Sequence, residues 1–455
     1  MTDLEHLLRR TTDLAIEHLA TLDDRPVFPS APAAELRAAI AADLPDGPLA
    51  PTTVIEELAA AVAPGLTLVP GGRYFGFVTG GAVPAALAAD WLTATWDQNA
   101  FSYVSSPAAS IVEDIAAGWI KEILRLPEGA SVGFTTGCQM AHVTALAAAR
   151  HDVLRTAGWD VAAAGLSGAP PIRVVTGEKR HVTVDRALRL IGIGSDAIDI
   201  VPVDAEGRAS AAHIADRLAV HRGPTIVVAQ AGEVNTGSFD PIPAIAAVAS
   251  EHGAWLHVDG AFGIWARVSE RLEALAAGVE QADSWAFDAH KWLNVPYDSG
   301  VAVVAHPEAH RASMLGPAAY LAATGSERDA YDWTAEASRR ARGFAIYAAL
   351  RSLGRSGVTD LIDRCCAHAR RFAERLAALP GCEIVNDVAL NQVLIRFGDD
   401  ETTNRVLEKI QRGGVAWMGG TTWDGRAAIR ISVSSWATTV EDVDRTVAAF
   451  AAAVA

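Results

Sequence analysis

Residues 284–300 read SWAFDAHKWLNVPYDSG and residues 254–263 read AWLHVDGAFG. Each is a short apolar run that stops abruptly. The later run ends at Phe287 with Lys291 just beyond it, and the earlier ends at Asp259, followed by the small residues Gly260 and Ala261. Brief runs rich in β-branched and aromatic residues, closed by Gly or polar residues, are the mark of strands. Working outward, the pattern recurs as SVGFTT (131–136), IRVVTG (172–177), AIDIVPV (197–203), PTIVVAQAG (224–232) and SGVAVVAH (299–306), with helical spacing between. Such alternation predicts an α/β domain with a mostly parallel sheet. Ligands of such sheets bind beyond the carboxyl ends of the strands, which is where Asp259 and Lys291 fall.

The chain's 455 residues suffice for two or three packed units. Its composition, 50% hydrophobic and 20% charged, is that of a folded globular protein. A net charge of −16 without any Lys/Arg run argues against nucleic acid as a partner. The Ala-rich stretches 58–63 and 446–455 fall short of the ~20 apolar residues of a membrane span. The first twenty residues carry early acidic residues and helically spaced Leu and Ile, not a basic region followed by an apolar block. A cytoplasmic protein is expected. Cys138, Cys365, Cys366 and Cys382 have neither disulfide-framework nor zinc-site spacing, so no metal is expected, and the adjacent pair in LIDRCCAHARRFAERLAAL (361–379) reads as helix packing.

Three parts are expected. Residues 1–85 alternate helical patterns with proline-rich joints, where Ser30, or Thr52 and Thr53, are candidate N-caps. An arm apolar on one face and without its own sheet implies a covering surface, hence a homodimer. Residues 86–325 form the large α/β domain. Residues 326–455 form a small α+β domain with a preceding linker; its strands are NQVLIRF (391–397) and AAIRISVSS (427–435). The polar stretch ATGSERDAYDWTAEASRRARG (323–343) reads equally as an active-site lid or a surface crossover.

Four strand-end features carry the chemistry. Lys291, set in apolar surroundings, is expected to have a lowered pKa, which frees its amine to attack an aldehyde, although a lone strand-end lysine is more often solvent-facing. Asp259 reads either as a structural hydrogen-bond acceptor or as the carboxylate that keeps a pyridine nitrogen protonated. GFTTGCQMAHVTALAAAR (133–150) passes through Gly137 into a helix, and the outward N–H groups of Gly137, Cys138 and Gln139 suit a phosphate. His181, in VVTGEKRHVTVDRALRLIGIG (174–194), opens a helix from which an imidazole reaches a ring face. Each is ambiguous alone; their combination is not. Gly192-Ile-Gly194-Ser-Asp-Ala197 mimics a dinucleotide fingerprint, but it follows a helical run and precedes a strand, so it reads as a helix stop rather than as an NAD-dependent oxidoreductase.

These blocks, with RYFGFVTGG (73–81) and the segment 99–127, resemble the group II pyridoxal 5′-phosphate-dependent amino acid decarboxylases, which include aromatic L-amino acid and glutamate decarboxylases. The resemblance implies an aspartate-aminotransferase-like, fold type I architecture and decarboxylation of an L-amino acid, aromatic ones among the candidates, through a Schiff base on Lys291. It implies that Asp259 pairs with the pyridinium nitrogen, that His181 stacks on the ring, and that Ala261 packs on the other face. Gly137, Cys138 and His290 would surround the phosphate, and Asn235 would approach the phenolic oxygen. Phe101 and Tyr74 would face the substrate across a subunit boundary, and Tyr331, the nearest counterpart of the family's lid tyrosine, would be the proton donor. Departures are visible too. Gly232, Glu233 and Val234 replace a threonine-rich stretch, and His142 stands where the family often has asparagine or threonine. An aldehyde synthase, an aminotransferase, or a non-catalytic pyridoxal phosphate-binding protein remain the alternatives. The basic group for an acidic substrate is left open among Arg73, Arg396 and Arg430, and Trp96 and Trp423 read as core or pocket.

Overall fold

All seven runs quoted above are strands of one sheet in the computed structural model, which describes residues 2–29, 31–40, 43–315 and 327–454. They are β1 (Ser131–Thr135), β2 (Arg173–Gly177), β3 (Ile198–Val201), β4 (Thr225–Gln230), β5 (Trp255–Asp259), β6 (Ser284–Asp288) and β7 (Gly300–Val304). Their order across the sheet is β1-β7-β6-β5-β4-β2-β3. β7 runs antiparallel to β1 and β6, and the remaining pairs are parallel. Every residue of β1, β4, β5, β6 and β7 is buried, which is why these strands read as continuous apolar runs and not as alternating ones: helices cover both faces.

Register sets the site. Asp259 lies opposite Gln230 on one side and Ala286 on the other, while Asp288 lies opposite Gly300. The helix Cys138–Thr156 leaves β1 through Gly137 and packs across β5, β6 and β7. The pseudo-fingerprint behaves as a helix stop: the helix Val182–Leu190 ends before Gly192, whose φ is 84°, and a 3-10 turn at Ser195–Ala197 leads into β3.

A second, antiparallel sheet follows, with strands β8 (Cys382–Ile384), β9 (Gln392–Phe397), β10 (Gly419–Trp423) and β11 (Arg426–Ser432) in the order β10-β11-β9-β8. Sequence patterning finds β9 and β11 only. β8 has three residues and β10 begins Gly-Gly, so neither carries the apolar run that betrays a buried strand. The helix Gly343–Ala377 is two helices joined at Gly354, whose φ of 61° and ψ of −178° break the spiral at a residue without a Cβ. Cys365 and Cys366 are buried on it, as their helical spacing implies.

The N-terminal part forms helices Thr2–Ala20, Ala33–Ile40 and Pro51–Val62, and the last two bury none of their residues within one chain. The cap expectation fails here. Ala50 is the N-cap of Pro51–Val62, with no side-chain bond, and Thr52 and Thr53 lie inside the helix because Pro51, lacking an N–H, occupies the first helical position. Ser30 lies outside the described residues. No helix among the described residues is long and apolar enough to cross a membrane.

Candidate active site at the carboxyl edge of the sheet

β5 and β6 deliver two carboxylates, Asp259 and Asp288, to the same edge, and both are buried. Lys291 follows one turn after β6, and its Nζ lies 3.0 Å from Asp288 Oδ2. The other oxygen, Oδ1, accepts the Cys138 N–H at 2.5 Å and lies 3.2 Å from His290 Nε2. One carboxylate therefore binds the amine, the imidazole and the first N–H of the helix that leaves β1.

That pairing overturns the expected electrostatics of Lys291. Burial by itself pulls the ammonium's pKa down, but the charge of Asp288, with Cys138 and Asp259 nearby, outweighs it, and the net shift is upward. The side chain is not set in apolar surroundings but in an ion pair. Sequence reading gave Asp288 no role, although it ends its strand as Asp259 ends the neighbouring one.

Asp259 has different company. Its Oδ1 accepts the Ala261 N–H at 3.1 Å, and its Oδ2 lies 3.5 Å from His142 Nε2. Burial tends to raise its pKa, yet His142, then His181 and the Ala261 N–H, hold it well below the ordinary carboxylate value. His142, noted above only as a departure, is thus Asp259's closest imidazole. Cys138 Sγ sits 3.3 Å from His142 Nε2 and 4.0 Å from Asp259 Oδ1. Cys138, His142 and Asp259 are close enough together to hold a metal ion, a grouping that linear spacing does not reveal. Burial pushes the Cys138 thiol up, as do both aspartates, so it stays protonated.

His181 is the N-cap of its helix, with Nδ1 2.7 Å from Thr183 Oγ1. Burial lowers its pKa, Asp259 opposes that, and Lys291, His142 and Arg430 lower it further. It therefore lies within electrostatic reach of Asp259, Lys291 and Arg430. Gln139 Nε2 donates to Thr183 O at 3.2 Å and ties the two helix N-termini together. Asn235 reaches the edge from the loop after β4, but its Nδ2 is spent on Glu233 Oε1 at 2.8 Å, and its buried Oδ1 has no partner among the described residues.

The substrate-side candidates arrive by separate routes. In RYFGFVTGG, Gly80 lies so close to the lysine that a Cβ there would fall 2.2 Å from the Lys291 carbonyl oxygen. Tyr74, stacked 5.1 Å from Trp417, is pushed up to about 12 by burial and by Tyr297, whose ring lies 4.3 Å from His290. Phe101 and Tyr331 form a pair of their own: the rings stack at 4.7 Å and the Tyr331 N–H donates to Phe101 O. Tyr331 belongs to a stretch that runs beside β1, where Arg328 and Arg339 donate to Val132 O and Phe134 O. The part of the expected lid before Glu327 lies outside the described residues. Trp423 is buried under Lys179 and is a packing residue, whereas Trp96 touches Phe344 edge-on and is otherwise half exposed. A cavity of about 730 Å³ lined by Asp204, His213 and Asp240 contains none of the candidates.

The edge fits pyridoxal phosphate. Gly137, His181, Asn235, Ala261, His290 and Lys291 are all partly exposed, although the strands leading to them are buried. Among the described residues, three buried polar atoms at this edge lack partners, Gln139 Oε1, Asn235 Oδ1 and Ser299 Oγ, and buried polar groups ordinarily find a partner in protein, water or a bound group. A helix N-terminus, an amine and a carboxylate supply the phosphate, aldehyde and ring-nitrogen partners.

A family model described as the pyridoxal-dependent decarboxylase conserved domain matches residues 33–397. The chain belongs to that family: it is a pyridoxal phosphate-dependent amino acid decarboxylase of fold type I. It is 29% identical to L-2,4-diaminobutyrate decarboxylase of Rhizobium meliloti (strain 1021), over 80% of this chain and 74% of that protein. It is 26% identical to 4-hydroxyphenylacetaldehyde synthase of Rhodiola rosea, over 98% and 93% respectively. Among solved structures, Oryza sativa TDC with PLP and tryptamine superimposes with a TM-score of 0.93 at 24% identity, covering 100% of this chain and 98% of that one.

Proposed function

We propose that the enzyme decarboxylates an L-amino acid with an aromatic side chain to the amine and carbon dioxide, and works as a homodimer with shared sites. The observation that carries the reading is that Asp259 directly, and Lys291 through Asp288, meet at Cys138, the first residue of the helix Cys138–Thr156. Pyridoxal phosphate, when bound, supplies the electron sink for the bond that loses carbon dioxide. Lys291 would anchor it and release product, Asp259 would keep its ring nitrogen protonated, and His181 and Ala261 would flank the ring. Gly137, Cys138 and His290 would hold the phosphate, Asn235 would attend the phenolic oxygen, and Tyr331 would return a proton to Cα.

Three features support an uncharged, aromatic side chain. Tyr74 and Phe101 are ring-bearing groups on the two substrate-side segments. Of the three open arginines, Arg73 is committed to Val415 O and Asp23 O, and Arg396 to Trp423 O. Arg430, near His181, has its pKa lowered by burial, with Glu233 within electrostatic reach opposing that. Dimerisation is supported by the arm, where Leu4, Leu8, Ile16, Val54 and Leu58 are exposed on helices that bury little within one chain.

The test is a panel of the standard amino acids with added pyridoxal phosphate, measuring carbon dioxide, ammonia and peroxide together. Carbon dioxide alone, released fastest from aromatic substrates, is expected. Peroxide and ammonia in step with carbon dioxide would mark an aldehyde synthase, and turnover confined to acidic or basic amino acids would overturn the substrate class.

A further inference from the structure

Behind Asp259 runs a line of buried polar contacts. His142 Nε2 lies 3.5 Å from Asp259 Oδ2, the longest link, and His142 Nδ1 lies 2.9 Å from His257 Nε2. His257 Nδ1 lies 2.8 Å from Ser284 Oγ, and Trp255 Nε1 donates to the same oxygen at 2.8 Å. His142, His257 and Ser284 are fully buried, so the protons in this line cannot be exchanged casually for water.

The two ends fix the direction in which the protons point. An indole N–H only donates, and an ionised carboxylate only accepts. Ser284 Oγ takes the Trp255 N–H, which leaves its own hydroxyl proton for His257 Nδ1. His257 then carries its proton on Nε2 and donates to His142 Nδ1. His142 in turn carries its proton on Nε2, the nitrogen that faces Asp259. The reverse order would press two donors onto Ser284 and leave its hydroxyl proton without an acceptor among the described hydrogen bonds; His142 Nε2 would then accept from the Cys138 thiol 3.3 Å away and offer Asp259 no donor. A doubly protonated His142 would force the same reversal in the rest of the line. Burial keeps His257 neutral, in accord with this order.

We propose that Trp255, Ser284, His257 and His142 form a one-way line of hydrogen-bond donors that holds Asp259 ionised, with His142 as a neutral positioning residue in its Nε2–H form. The inference rests on the role given to Asp259 above and explains why an imidazole stands at position 142. Asp259 must stay ionised where burial opposes it, and a cation beside it would compete with the ring nitrogen it serves. A neutral N–H stabilises the carboxylate without adding that charge.

The experiment uses the full-length chain with ¹⁵N-labelled histidine, first without cofactor and then with pyridoxal phosphate. In the cofactor-free protein both His142 and His257 are expected to show a protonated Nε2 and a bare Nδ1. Ser284→Ala, which removes only the hydroxyl, is expected to let His257 populate its other tautomer and to weaken pyridoxal phosphate binding by about fivefold, the scale of one lost hydrogen bond. Ser284→Thr, which keeps the hydroxyl, is expected to restore both. His142 protonated on Nδ1 or on both nitrogens overturns the proposal, as does a Ser284→Ala protein whose histidine tautomers are unchanged. Because the tautomers are read without cofactor, failure of this line is distinguishable from failure of the enzyme to bind pyridoxal phosphate at all.

Discussion

Asp259 ends β5 and Asp288 ends β6, the next strand in the sheet, and both carboxylates are buried. Asp259 is met by a backbone N–H and an imidazole, whereas Asp288 is met by an ammonium, a second imidazole and a helix N-terminus. Position in the fold does not distinguish them. The neighbours do: hydrogen-bond donors leave Asp259 free to serve a ring nitrogen, while Asp288 is saturated by the groups that must receive the cofactor. Binding of the cofactor therefore has to compete with Asp288 for Lys291 and for the Cys138 N–H, and has no such competitor at Asp259.

Four substitutions sharpen or break this comparison. Lys291→Ala removes the amine that Asp288 holds; all decarboxylation and the visible absorbance of the lysine-bound cofactor should disappear, and an unchanged spectrum would refute the assignment. Asp259→Asn should leave that absorbance in place and lower kcat by about a thousandfold, the scale of losing a preorganised charge, as steady-state assays would report. Asp288→Asn keeps an acceptor for Cys138 but removes the counter-ion of Lys291. It should destabilise the cofactor-free chain by about 1–3 kcal/mol in denaturant titrations, while Asp259→Asn should not reproduce its pH signature.

The sign of that signature follows from Lys291. Its folded pKa is raised, so its contribution to stability is complete below the unfolded value of about 10.4 and disappears as pH climbs from there through the higher folded value. Wild-type cofactor-free protein should lose stability in that alkaline window, and Asp288→Asn should flatten the loss. The smallest effect is expected at Thr183→Val, which removes the hydroxyl 2.7 Å from His181 Nδ1. A loss of about threefold in kcat/KM, near the lower end of a single hydrogen bond, would place His181 in the site without making its orientation critical.

Much of the large sheet was legible because its strands are buried on both faces and so leave uninterrupted apolar runs. β8 and β10 were not, since three residues, or a Gly-Gly start, carry no such run. At the site, the order of strand ends pointed to Lys291, Asp259, His181 and Gly137. The environment of each was another matter. Lys291 looked apolar because Phe287, Trp292 and Leu293 surround it in the chain, yet its nearest polar group is Asp288, three residues back. Phe101 and Tyr331 sit far apart in sequence and stack on each other in space.

The sequence by itself determined which residue types stand at the ends of which strands, because periodicity and turn residues are local and survive without coordinates. Only the tertiary structure decided what faces them. Whether a buried lysine is neutral or paired, and whether an aspartate meets an imidazole or an ammonium, depends on groups brought within about 3–4 Å from distant parts of the chain, and Coulomb and hydrogen-bond energies change steeply over that range.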